Sequence, residues 1–199
     1  MKKELMIVFI IILLAIFFRF YQLGANPAGF FTDEASIGLN AYSILKTGAD
    51  TYGRPFPVFF EAVGDYRDPV MIYSTVPFVA WLGLNEYSVR VVSAIYGVAA
   101  ILMMYFLGRE LGGKSVGLWS AFLLAICPWH VLFSRVGFQL IYAIFWLIFA
   151  LYFLHKSFKN YWWFSLSLLG FVLTFFSYSS VKLYLVLLPI LFLFSYLKA

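Results

Sequence analysis

The sequence predicts an all-α integral membrane protein: a bundle of six crossings whose long extracytoplasmic first loop carries amphipathic juxtamembrane helices. Three observations predict it. The 199 residues are 64% apolar and only 12% charged, against about 45–50% and about 25% in soluble domains, so the chain has too little polar surface to cover itself. Its mean hydropathy is +0.92. Its acids are segregated, seven of the nine Asp and Glu lying between residues 33 and 86. A soluble globular domain, a disordered chain and a nucleic-acid-binding module are all excluded. The net charge of +5 comes from scattered basic residues, not from one basic face. The single Cys127 excludes a disulfide framework and a cysteine-rich metal site, and within its apolar run it reads as an inert buried thiol.

A crossing needs about 20 mostly apolar residues. Residues 5–21 supply the first, after Lys2 and Lys3. A cleaved signal peptide has similar flanks, but Phe18, Arg19, Phe20 and Tyr21 are bulky and Leu23-Gly24-Ala25 is a poor cleavage site. The segment 22–90 is then one acidic outer loop. Asn26-Pro27-Ala28-Gly29 is turn chemistry, and Phe30 and Phe31 suit a membrane interface. Thr32 reads as a helix N-cap, with Asp33 and Glu34 in the first turn. Ile37, Ala41, Ile44 and Leu45 form an apolar face and Gly48 a stop, which predicts a helix on the membrane surface. Residues 70–84 contain Pro77, follow Pro69 and are short, so they read as a re-entrant or interfacial helix; the alternative makes them a true crossing and inverts the later loops. The remaining crossings fall at 91–108, 115–132, 140–155, 161–178 and 183–197. With 70–84 out of the count, Lys2, Lys3, Arg109, Lys114, His155, Lys156, Lys159 and Lys198 share the cytoplasmic side. No fixed-period repeat is visible, and one membrane domain over 1–199 is the simplest description.

The chemistry-bearing residues concentrate in the outer loop. A helix N-terminus favours ionised carboxylates, and a general base must be unprotonated, so Asp33 is a candidate base and Glu34 its companion; both also fit a plain dipole-complementing role. Arg90, Arg135 and Lys182 fall on the outer side, against the positive-inside pattern. Their partners are either the acidic loop or a bound anion such as a lipid phosphate. His130 beside Trp129 reads as a structural hydrogen-bonder before a metal ligand. Trp129, Tyr178 and Tyr184 are placed to stack on a sugar or to sit in the lipid belt. No Walker loop, dinucleotide fingerprint, Ser–His–Asp set or Cys/His metal spacing occurs.

Phe30-Phe31-Thr32-Asp33-Glu34-Ala35 resembles the acidic first-loop motif of polyprenyl-phosphate-sugar-dependent glycosyltransferases, the protein O-mannosyltransferases and lipid A aminoarabinose transferases among them, which share the GT-C membrane fold. The likeness continues through Thr47-Gly48-Ala49-Asp50, Gly64-Asp65-Tyr66-Arg67-Asp68-Pro69, Glu86 to Arg90, Gly108-Arg109-Glu110-Leu111-Gly112 and Ser134-Arg135. The resemblance implies a GT-C-like bundle in the cell membrane, N-terminus cytoplasmic. It implies inverting transfer from a polyprenyl-phosphate-linked sugar to a protein or glycolipid hydroxyl, with membrane lipid around it and no nucleic acid. Asp33 would be the general base and Glu34 the second acid. Arg90 and Arg135 would contact the lipid phosphate, and Asp65, Arg67 and Asp68 would belong to the donor or acceptor loop. No cofactor is implied with certainty, and a divalent ion is left open. The chain differs from many relatives in carrying Arg67-Asp68-Pro69 in place of His-Pro-Pro, and Gln139 and Leu140 where an Asp often follows the second-loop arginine. Relatives are usually longer, so the resemblance is to their N-terminal portion. Two rivals stand beside this reading. A transporter of lipid-linked substrates is disfavoured by nearly charge-free helix centres, and a non-catalytic membrane subunit is kept open by the absent downstream acid and the short chain.

Overall fold

The computed structural model describes residues 2–62 and 65–187. In chain order the elements are α1 (Lys2–Phe20), α2 (Thr32–Thr47), β1 (Phe60–Ala62), β2 (Asp65–Arg67), α3 (Pro69–Leu82), α4 (Glu86–Ile126), α5 (Pro128–Arg135), α6 (Leu140–Ser157) and α7 (Trp163–Phe175). Residues 179–187 are helical as well. Among the described residues the protein is mainly helical, with two helices long and apolar enough to span a bilayer, Glu86–Ile126 and Leu140–Ser157. Most of the expected 183–197 crossing, and Lys198, lie outside the described residues.

A straight helix of the length of α4, 41 residues, would run about 60 Å, twice the thickness of a bilayer core. The chain instead breaks at Gly113, whose φ of 80° and ψ of −173° are not helical, and the two limbs fold back on each other. A Cβ on Gly108 would lie 3.0 Å from the Gly117 Cα, and one on Gly117 would lie 2.7 Å from the Tyr105 carbonyl oxygen. The limbs thus meet backbone to backbone, the close approach that small residues permit between membrane helices. Tyr105, Ala121 and Ala125 bury their side chains there with Ile11 and Ala15 of α1. The expected crossings at 91–108 and 115–132 correspond to these limbs, except that the second ends at Ile126. Pro128 cannot continue that helix, and it opens the separate α5 at its first turn. The pair α6 and α7 packs by the same device: a Cβ on Gly170 would lie 2.9 Å from the Ala150 Cα, and the Ser167 hydroxyl donates to the Ala150 carbonyl at 3.0 Å.

Two features of the first loop differ from expectation. Thr32 is the first helical residue of α2, not its cap. Phe31 holds the cap position, and its N–H is accepted by the Glu34 side chain at 3.1 Å. Residues 60–62 and 65–67 pair as the antiparallel strands of a hairpin, Phe60 facing Arg67 and Ala62 facing Asp65, in a stretch expected to be loop. α2 buries Ile37, Ala41 and Ile44 against α3 and α4, while Leu45, expected on that face, is exposed. Gly48 ends the helix in the left-handed region, its N–H donating to the Ile44 carbonyl at 2.9 Å. α3, at 14 residues, spans about 21 Å, short of a bilayer core of about 30 Å.

The charged residues collect at two poles. At the N-terminal pole, Glu4 of α1 accepts the Tyr105 hydroxyl at 2.8 Å and pairs with Arg109 at 3.4 Å and Lys114 at 3.2 Å. Glu110, beside the α4 turn, pairs with Lys156 and, at 3.2 Å, with Lys159. The opposite pole gathers the end of α1, the loop to α2, the hairpin, and the starts of α3, α4 and α6.

Candidate functional site

The loop pole is organised around one buried ion pair. Arg90, in the first turns of α4, and Glu34, in the first turn of α2, are both 0% exposed. Arg90 Nε donates to Glu34 Oε1 at 2.9 Å and Nη2 to Oε2 at 3.1 Å. Glu34 also accepts the Gly137 N–H at 2.8 Å, besides that of Phe31. The other Arg90 donors go to main-chain carbonyls: Nη1 to Leu23 at 3.4 Å and Pro27 at 3.0 Å, and Nη2 to Gly29. A guanidinium has five N–H donors, and all five are engaged. The Phe30 ring covers the guanidinium at 5.7 Å. Arg90 therefore has no donor left for a phosphate, and the expected contact is not available in this geometry. Glu34 is likewise committed to its four bonds.

Arg135, at the end of α5, grips the same segment. Nη1 donates to the Phe18 carbonyl at 2.7 Å, and Nη2 to those of Tyr21 at 2.7 Å and Asn26 at 2.9 Å. That leaves Nε and one Nη1 hydrogen without a partner among the described residues. Burial, and then the nearby Arg90 charge, hold its pKa below the usual arginine range.

Asp33 and Glu34 are adjacent in sequence but differ in setting. The Asp33 side chain is 35% exposed and is held by Arg67 of β2 through one carboxylate oxygen. Arg67 reaches it because β2 pairs with β1, whose Phe60 is fully buried against Tyr73 at 5.4 Å. Arg67 Nε is buried with no partner among the described residues. Asp65, two residues earlier, is exposed and among the described residues accepts only the Tyr66 N–H, at 2.7 Å.

Asp68 is buried just before α3 and accepts Ser179 Oγ at 2.9 Å and Lys182 Nζ at 2.6 Å. Of the two partners open to Lys182, the structure thus supplies the loop carboxylate. Gln139 Nε2 donates to the Asp68 carbonyl at 3.1 Å, a contact the sequence did not point to. Next to Asp68 lies an aromatic cavity of about 440 Å³ lined by Pro57, Pro69, Tyr73, Ser74, Tyr96 and Trp146, among others. The Trp146 indole N–H is buried there without a partner among the described residues. Trp129 and Tyr184 are exposed.

One polar cluster went unnoticed in the sequence. Arg19 is fully buried, donating to the Ala125 carbonyl at 3.1 Å and sharing a 2.8 Å hydrogen bond with His130 Nδ1. Ser134 donates to the His130 carbonyl. Gly97 makes room for this cluster, since a Cβ there would lie 2.3 Å from Ser134 Oγ. His130 is a structural hydrogen-bonder here. Among the described residues no group of three His, Cys, Asp or Glu converges on one point.

No curated protein and no solved structure matches the chain. A family model does match, and its span begins at Arg67, so Arg90, Arg135, Asp68 and Lys182 fall within it while Asp33 and Glu34 precede it. More than half of the chain, residues 67–198, fits the model described as dolichyl-phosphate-mannose-protein mannosyltransferase, and the chain belongs to that family of membrane glycosyltransferases.

Proposed function

We propose that this chain moves a sugar from a polyprenyl-phosphate donor to an acceptor hydroxyl at the extracytoplasmic face, with inversion and with Asp33 as general base. The observation that carries the reading is the split between two neighbouring acids. Glu34 is sealed into an ion pair, while Asp33 stays 35% exposed at the start of α2. A base must be reached by its substrate, and of the two only Asp33 meets that condition. The acceptor oxygen gives its proton to Asp33 and attacks the anomeric carbon. The bond from that carbon to the phosphate oxygen breaks, and the phosphate keeps the electron pair. Cations at the leaving oxygen stabilise its growing charge. Of the two arginines expected there, Arg135 retains donors for it, while Arg90 serves with Glu34 as a positioning residue. The aromatic cavity beside Asp68 suits the apolar part of a substrate that arrives through the bilayer.

The two poles support an orientation. Lys2, Lys3, Arg109, Lys114, Lys156 and Lys159 share the N-terminal pole, which the positive-inside rule assigns to the cytoplasm. The loop pole then faces out, with six crossings and α3 on the outer side. The family description makes mannose the first sugar and protein the first acceptor to try.

The test is transfer of a radiolabelled polyprenyl-phosphate hexose by the purified chain in nanodiscs, offered protein and glycolipid acceptors. Asp33→Asn is expected to lower transfer by about a hundred-fold or more, the usual weight of a general base, without weakening donor binding. Transfer that survives in this variant removes Asp33 from the chemistry.

A further inference from the structure

The cations of the loop pole differ in what they already hold. Arg90 spends all five donors on Glu34 and three carbonyls. Lys182 is held by the buried Asp68 carboxylate. Arg135 holds the Phe18 carbonyl near the end of α1 and two carbonyls of the loop before α2. Arg67 is less committed than these three: among the described residues it holds one oxygen of the part-exposed Asp33, and its buried Nε donates to nothing.

We propose that Arg67 exchanges Asp33 for the donor's phosphate, so that donor binding itself releases the base. This rests on the transfer reading above. A carboxylate oxygen that already accepts a guanidinium N–H has that donor standing where an acceptor hydroxyl would have to approach. Asp33 as it stands is therefore held in check by Arg67, which occupies one of its two oxygens. Asp33 takes a single N–H of Arg67 through one oxygen, whereas a phosphate seated on the Nε–Nη2 edge accepts two parallel charge-assisted N–H bonds. The idle Nε and the Nη2 that now holds Asp33 form the edge that makes such a fork. Once the phosphate is engaged, Asp33 loses its counter-charge and is free to take the acceptor's proton. As the sugar leaves, the bond between the anomeric carbon and the phosphate oxygen breaks, and Arg67 lies on the oxygen that receives its electrons. The order of events follows: donor first, acceptor second, with no active base in the absence of donor.

The experiment measures binding of polyprenyl phosphate without sugar to the chain in nanodiscs, for wild type, Asp33→Asn, Arg67→Ala and Arg67→Lys. If Asp33 competes with the phosphate for Arg67, Asp33→Asn binds more tightly, by about two- to five-fold, the range of a part-exposed ion pair. Arg67→Ala binds about ten- to a hundred-fold more weakly, the loss of a charge-assisted contact, and Arg67→Lys falls between. A pair that only braces the hairpin predicts otherwise: removing either partner then leaves affinity unchanged or lowers it. Circular dichroism and thermal melting of each variant separate a lost contact from a lost fold. Wild type that transfers sugar while Asp33→Asn fails to bind more tightly overturns the exchange and leaves the transfer reading standing. Wild type that neither binds polyprenyl phosphate nor transfers overturns both.

Discussion

Arg90 and Glu34 are the residues on which the loop pole depends. A buried ion pair adds little net stability over an apolar substitute, but losing one partner strands the other charge in a dry interior at a cost of about 3–5 kcal/mol. Glu34→Gln and Arg90→Ala should each lower thermal stability in nanodiscs by that order, and the double variant should lose less than the sum. Arg90→Lys should not rescue, because three donors cannot replace five. A melting series on the four proteins checks this. The importance of this pair was only half legible in the sequence. The acids at 33–34 stood out by clustering and by their place at a helix start, and the unusual position of Arg90 marked it as needing an anion. Nothing local could say that the anion is Glu34, 56 residues away, or that Asp33 faces outward toward Arg67. One residue of helix rotation separates the two fates, and tertiary packing decides it.

Among the elements, the α4 hairpin and the β hairpin differ in how they were written. The break at Gly112-Gly113 between two apolar runs is legible, because length alone demands a turn. The β hairpin is not, since three-residue strands are too short for a period-two pattern to emerge. Likewise the cap of α2 went to Phe31 because Glu34 reaches back to its N–H, so the side chain that normally caps a helix is not needed. The hairpin of α4 carries its own prediction. Gly117→Leu places a side chain where the Tyr105 carbonyl stands 2.7 Å from a Cβ, so backbone must move. Overpacking of this kind costs about 1–3 kcal/mol or more. The limbs should separate, read as loss of a cysteine cross-link engineered between them, whereas Val116→Leu on the exposed side should leave the cross-link unchanged.

At the scale of the whole molecule, two carboxylates of the N-terminal pole tie the stability of the fold to acid. Hydrogen bonds from Lys156 and then Lys159 hold the Glu110 pKa below the usual carboxylate value. That of Glu4 is held down chiefly by the Tyr105 hydroxyl, against burial, with Lys114 and Arg109 adding to it. A carboxylate with a lowered folded pKa stabilises the fold above its unfolded value, about 4.3, and loses that contribution as pH falls through the folded value. Melting temperature should therefore be flat from neutral pH to about pH 5 and decline below it. Glu110→Gln should flatten part of the decline. A decline already under way between pH 6 and 7 would contradict this assignment. Composition made the membrane class legible at this scale, and charge spacing made the two poles legible. The buried Arg19 stayed hidden because a basic residue at the end of an apolar run reads as a flank, while the structure folds it inward onto the end of α4.

The grip of Arg90 and Arg135 on the segment before α2 has a consequence for how this region tolerates change. Both hold it through main-chain oxygens, those of Phe18, Tyr21, Leu23, Asn26, Pro27 and Gly29. Side-chain identity between residues 21 and 29 is largely irrelevant to those contacts, so apart from Leu23, buried in the core, and Gly29 at φ 83°, the stretch can drift in sequence while its path stays constant. Its length cannot drift: one inserted or deleted residue moves several carbonyls out of reach of both arginines at once. In a saturation library selected for folded protein, point substitutions at exposed positions here should survive widely and single-residue insertions should vanish.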